Sequence, residues 1–194
     1  MPNWCSTCYK IVGKKEEVQA IYDVLTTLNN QPQKQVESDF GKLWLGCIVT
    51  YLGGDWEKIY CRGEVTSFEM SDDVLTIDQE TAWSEQSEFR HFLETKYPHI
   101  KVFYIEEECG WDVYCTNDHT GHYFPQRYLL DSCCDKPEYF TNLQQAIRRV
   151  REITGRRDIN TEEDMMHALD LYMEEHENDN NNFYCMHKFE VVDD

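Results

Sequence analysis

The order in which hydrophobic periodicity changes along the first hundred residues constrains this chain most. Residues 4 to 12 alternate loosely and stop at Gly13, which predicts a strand. Val18, Ile21, Tyr22, Leu25 and Leu28 then recur at helical spacing and predict an amphipathic helix over 14–28. The polar stretch 29–42, with Asn29-Asn30-Gln31-Pro32, reads as a loop. Leu43 to Leu52 is apolar and β-prone, closed by Gly53-Gly54. Strands over 63–70 and 74–80 flank Ser71-Asp72-Asp73, which has hairpin chemistry. Ser84 is placed to cap a helix with Glu85 and Glu88 in its first turn. Phe89, Phe92, Leu93 and Tyr97 form the apolar face of that helix, and Pro98 stops it. Ile100 to Ile105 and 111–115 supply two more strands before a turn at 117–121.

Residues 4 to 107 therefore spell β-α-insert-β-β-α-β, the order of the split βαβ, or ferredoxin-like, plan. The expected fold class is α+β: a ferredoxin-like antiparallel sheet with its helices on one face and an insert over 30–61. The first domain is expected over 1–125. Residues 126–194 are expected to form a helical extension that ends in a strand. Within it, 131–140 reads as a connection, and Thr141 as the cap of a helix that Gly155 ends. Thr161 with Asp164 resembles a capping box opening the last helix. Met165, Met166, Leu169, Tyr172 and Met173 form its stripe, which reads as core. Asn178 to Asn182 reads as a turn, and 183–192 as the final strand.

Eighteen Lys and Arg against 37 Asp and Glu leave a formal charge of -19. Phosphate affinity comes from clustered basic residues, so no direct nucleic-acid binding is expected. Acidity at this level chiefly makes a solvated surface. Its functional counterpart is a face that engages a basic protein partner. No run of ~18 apolar residues is present, so no membrane span is expected. The opening lacks the basic flank and apolar stretch of a secretory signal. With nine cysteines, an odd number, this predicts a cytoplasmic protein with reduced thiols. Arg148, Arg149, Arg151, Arg156 and Arg157 form one local basic patch. It reads as neutralisation of acidic neighbours on a helix, or else as a phosphate or partner site.

Several segments resemble a known bacterial family: Met1-Pro2-Asn3-Trp4-Cys5, Gly54-Asp55-Trp56-Glu57, Thr81-Ala82-Trp83, Tyr97-Pro98 and Tyr104-Ile105-Glu106-Glu107. That family is common on phages, plasmids and other mobile elements. Its members open Met-Pro-Asn-Trp-Cys and carry a ferredoxin-like domain. The resemblance spans residues 1 to 125 and implies the fold and a mobile-element setting. The family has no established activity, so none is implied.

Five tryptophans, Trp4, Trp44, Trp56, Trp83 and Trp111, either knit the insert and chain start onto the sheet or form an aromatic surface on its open face. The candidate partner surface is Trp56, Trp83 and Trp111 with Glu106, Glu107 and Glu108. Cys5 and Cys8 make a C-x-x-C, but redox motifs place the first Cys at a helix N-terminus, and here a strand follows. Cys115, His119 and His122, completed by Cys5 and Cys8 or by Cys133 and Cys134, are the candidate ligands of a structural zinc. No other cofactor is expected. The acidic runs at Glu106–Glu108 and at Glu174, Glu175, Glu177 and Asp179 lack calcium-loop spacing. No phosphate-binding glycine loop or nucleophile elbow occurs. The expected function is a non-enzymatic binding or accessory protein that meets a protein partner through acidic surface. The alternative is a zinc or small-ligand module on Cys115, His119 and His122.

Overall fold

The first strand, β1 (Trp4–Gly13), sits between two antiparallel neighbours and organises everything up to Asp118. In the computed structural model, residues 3–133, 136–176 and 183–193 are described. Met1, Cys134, Glu177, Asp179 and the turn expected over 178–182 lie outside the described residues. The chain divides into two units, Met1–Asp118 with Asp193–Asp194, and His119–Val192. The division falls a few residues before the expected 125/126 boundary.

In the first unit, α1 (Lys15–Asn30) follows β1, and a short helix, α2 (Leu45–Tyr51), lies in the insert. The hairpin β2 (Gly63–Ser71) and β3 (Val74–Ala82) leads to α3 (Ser87–Lys96), β4 (Ile100–Glu108) and β5 (Val113–Thr116). The strand order is β2-β3-β1-β4-β5, with antiparallel pairing at each step. Side chains alternate between faces along a strand. Accordingly Tyr9, Ile11, Leu75, Ile77 and Val102 are buried on an inner face with Val18, Ile21, Leu25 and Leu28 of α1 and Phe89 and Leu93 of α3. Each such side chain contributes about 1.5–3 kcal/mol by leaving water. Gly13 ends β1 at φ 138, where an added Cβ would lie 2.1 Å from the His99 carbonyl oxygen, so only glycine closes this junction.

Two local expectations change in this unit. The β-prone run Leu43–Leu52 is mostly helix, because a short run buried on every side carries no period to separate strand from helix. Its Gly46 leaves room for the Trp44 ring, which stacks on Phe40 (5.5 Å between centroids) and meets Trp56 edge-on (5.2 Å). Ser84 does not cap α3, whose first helical residue is Ser87. Its hydroxyl donates to the Glu85 carbonyl, and the Glu85 N–H is engaged inside the unit.

The second unit holds β6 (Tyr128–Ser132), β7 (Glu138–Phe140), α4 (Leu143–Thr154), α5 (Glu162–Glu175), β8 (Tyr184–Lys188) and β9 (Glu190–Val191). The order β7-β6-β8 makes a three-stranded antiparallel sheet, so the expected connection over 131–140 is partly strand. Leu130, Ala146, Ile147, Val150, Met165, Leu169 and Met186 form one core. Asn142 rather than Thr141 caps α4 by accepting from the Gln145 N–H. Gly155 ends α4 in the left-handed region, and Thr161 and Asp164 make the expected capping box.

Candidate functional site

The two faces of the first sheet carry different chemistry. At the inner face, the Arg90 guanidinium meets the Glu85 carboxylate at 3.0 Å and lies 5.1 Å from the centre of the Tyr104 ring. The Tyr9 hydroxyl donates to the same Glu85 carboxylate. Glu106 accepts from the Glu85 N–H at 2.6 Å and from the Cys5 thiol at 3.6 Å. Burial raises both carboxyls above the usual Glu range; for Glu85 it outweighs the opposing pull of Arg90 and Tyr9. Burial and the Glu85 charge push the Tyr9 hydroxyl up as well. The buried Gln79 amide lies beside the Tyr9 hydroxyl and opposes this rise. These groups brace the turn between β3 and α3.

The outer face is acidic. Glu64 and Glu80 stand directly opposite each other across β2 and β3, and Asp78, Glu69 and Glu107 share their face. The pairing follows from a bulge between Val65 and Ser67, which shifts the register by one residue. No cation pairs with Glu64 or Glu80 among the described residues. Beside them opens a groove of about 470 Å³ lined by Trp4, Phe40, Glu64, Val65, Thr66 and Glu80. Trp4 is 47% exposed, and it faces outward because it precedes Ser6 by two residues on the strand. Gly41 lets the insert backbone close onto Glu64: an added Cβ there would sit 1.7 Å from its carboxylate oxygen.

Strand alternation separates the acidic residues expected at a partner surface. Glu107 is on the outer face, whereas Glu106 and Glu108 are buried. Glu106 belongs to the inner network, and Glu108 accepts from the Gly110 and Trp111 N–H groups, each at 2.8 Å. Trp83 and Trp111 are exposed, while Trp56 is half-buried against Trp44. Trp83 holds φ 73, and its N–H donates to the Asn3 carbonyl at 2.9 Å. Trp4, Trp83 and Trp111 thus gather at one end of the sheet, at the start of β1 and just past the ends of β3 and β4.

Cys5 and Cys8 point to opposite faces of β1, so their spacing brings no pair of thiols together. Burial pushes both thiols up to about 12, which disfavours the thiolate. Cys115 lies beside Glu106 on β5, whereas His119 and His122 belong to the second unit, with His122 edge-on to Tyr123. Among the described residues no three His, Cys, Asp or Glu side chains are grouped to hold a metal ion. In the basic patch, Arg149 pairs with Glu138 and Arg156 with Glu175, while Arg151 donates to the Ile159 carbonyl. Arg149 and Arg156 thus pair with acidic side chains of other segments of the second unit, and Arg151 with a backbone carbonyl. No described helix is long and apolar enough to cross a membrane.

No protein-family model, curated protein or solved structure matches this chain. The groove formed by Trp4, Phe40, Glu64 and Glu80 escaped sequence reasoning. Only Trp4 was a signal, and the bulge that pairs the two glutamates leaves no mark in composition.

Proposed function

We propose that this chain is a binding module that meets a basic protein partner on the outer face of its first sheet. The observation that carries this reading is the Glu64–Glu80 pair beside an exposed Trp4. Like charges directly opposite on a sheet are destabilising. They are compensated when a cationic partner sits over them, and the chain's net charge of -19 draws such a partner by long-range attraction. The order β2-β3-β1-β4 with α1 and α3 on the inner face supports the ferredoxin-like plan. Membership of the mobile-element family that the opening residues resemble is part of this proposal and rests on the sequence alone.

The immobilised chain and its Glu64→Gln/Glu80→Gln variant, both challenged with nuclease-treated bacterial lysate, test this reading. A protein held by the unaltered chain, released by salt and lost from the variant is expected. Equal retention by both, or retention that salt does not weaken, overturns it.

A further inference from the structure

We infer that the Trp4–Phe40–Glu64–Glu80 groove takes an arginine side chain of an extended partner segment, its guanidinium held between the paired carboxylates and the indole face. This rests on the basic-partner reading above and names the group that the partner presents.

Three features of the groove select that group. Directly opposed residues of an antiparallel pair have Cβ atoms about 5 Å apart, so Glu64 and Glu80 stand side by side on the outer face and both line the groove. A guanidinium presents a planar fork of donors that engages carboxylates in parallel pairs, which a lysine ammonium cannot do. Trp4 pairs with Ala82, two residues from Glu80, so its ring is a diagonal neighbour roughly 7–8 Å away by backbone spacing. Trp is the best aromatic partner for a cation, and Arg is the cation found most often over it. Phe40 forms a second aromatic wall, fixed from behind by stacking on Trp44.

The edge of β2 argues for a ligand on the face rather than a strand added alongside. The Val65 N–H already donates to the Leu43 carbonyl at 3.0 Å, and Trp44 bridges to Glu64. At the groove the insert therefore occupies the position an added strand would need. The bulge at this point turns Glu64 to the same face as Glu80, so one local irregularity builds the carboxylate pair.

The test titrates the full chain with three short peptides that differ only at repeated Arg, Lys or citrulline positions. Binding is followed by calorimetry, which reads every variant alike, and the Trp4 indole N–H resonance, assigned with Trp4→Phe, reports the site in the unaltered chain. Arg-peptide affinity about three- to fivefold above Lys, with citrulline binding lost, is expected. Trp4→Leu should remove the preference for Arg over Lys, and Glu80→Gln should weaken both. Glu80 is exposed, so Glu80→Gln remains informative even if Trp4→Leu fails to fold. Equal, salt-sensitive affinity for Arg and Lys that Trp4→Leu leaves unchanged overturns this inference and leaves the basic-partner reading standing. Failure of both basic peptides to bind overturns the two together.

Discussion

Arg90 and Glu85 form an ion pair at 3.0 Å in which each side chain is only 4% exposed. A pair this deep is costly to break from one side, because the remaining charge stays buried without a partner. Arg90→Met should therefore destabilise the protein by about 3–5 kcal/mol in chemical denaturation. Adding Glu85→Gln to that variant should restore part of the loss, since it removes the orphaned charge. A double variant no more stable than Arg90→Met would show that Arg90 acts chiefly through packing on Tyr104.

The pH dependence of stability follows from the two raised carboxyls. Glu85 and Glu106 hold their protons more tightly folded than unfolded. Their stabilising contribution is thus present below the ordinary Glu range and lost as pH rises through the raised folded values. Glu162 and Asp164, with lowered values, act in the opposite sense: their contribution is present above the ordinary carboxylate range and lost on acidification. Glu106→Gln fixes a neutral group in the same place. Its stability relative to the unaltered chain should increase as pH rises from about 5 to about 8. Denaturation curves of both proteins across that range check this, and a constant difference would contradict it.

In the second unit, the hydroxyl of Thr161 accepts from the Asp164 N–H at the start of α5. Thr161→Ala should cost about 1 kcal/mol. Leu169→Ala, in the core between helices and sheet, should cost about 2–5 kcal/mol. Denaturant midpoints of the two variants rank the cap against the core, and a larger loss at Thr161 would contradict the packing described for α5.

Much of the first unit was legible because its elements announce themselves by period. The helical spacing of Val18, Ile21, Leu25 and Leu28 and the alternation of β1 and β3 predict the right element types. The failures have specific causes. Leu45 to Val49 is buried all round, so the run has no amphipathic signature. β6 and β7 are short, and the end of β6 and all of β7 fall in the stretch that reads as a connection. At the site, the run Glu106-Glu107-Glu108 looks like one acidic patch, but strand alternation buries its first and third members. Glu64 and Glu80 lie sixteen positions apart in the numbering, and an unbulged hairpin register would place Thr81, not Glu80, opposite Glu64. A one-residue bulge cannot be read from hydrophobic pattern, yet it creates the groove's charge.

The ionic-strength dependence of Arg-peptide binding, measured by calorimetry on the unaltered chain and on Glu64→Gln/Glu80→Gln, tests the central claim most directly. Affinity of the unaltered chain should fall steeply with added salt, and the variant should bind more weakly with a shallower dependence. Identical affinities and identical salt slopes for the two proteins would contradict a partner site on the outer face of the sheet.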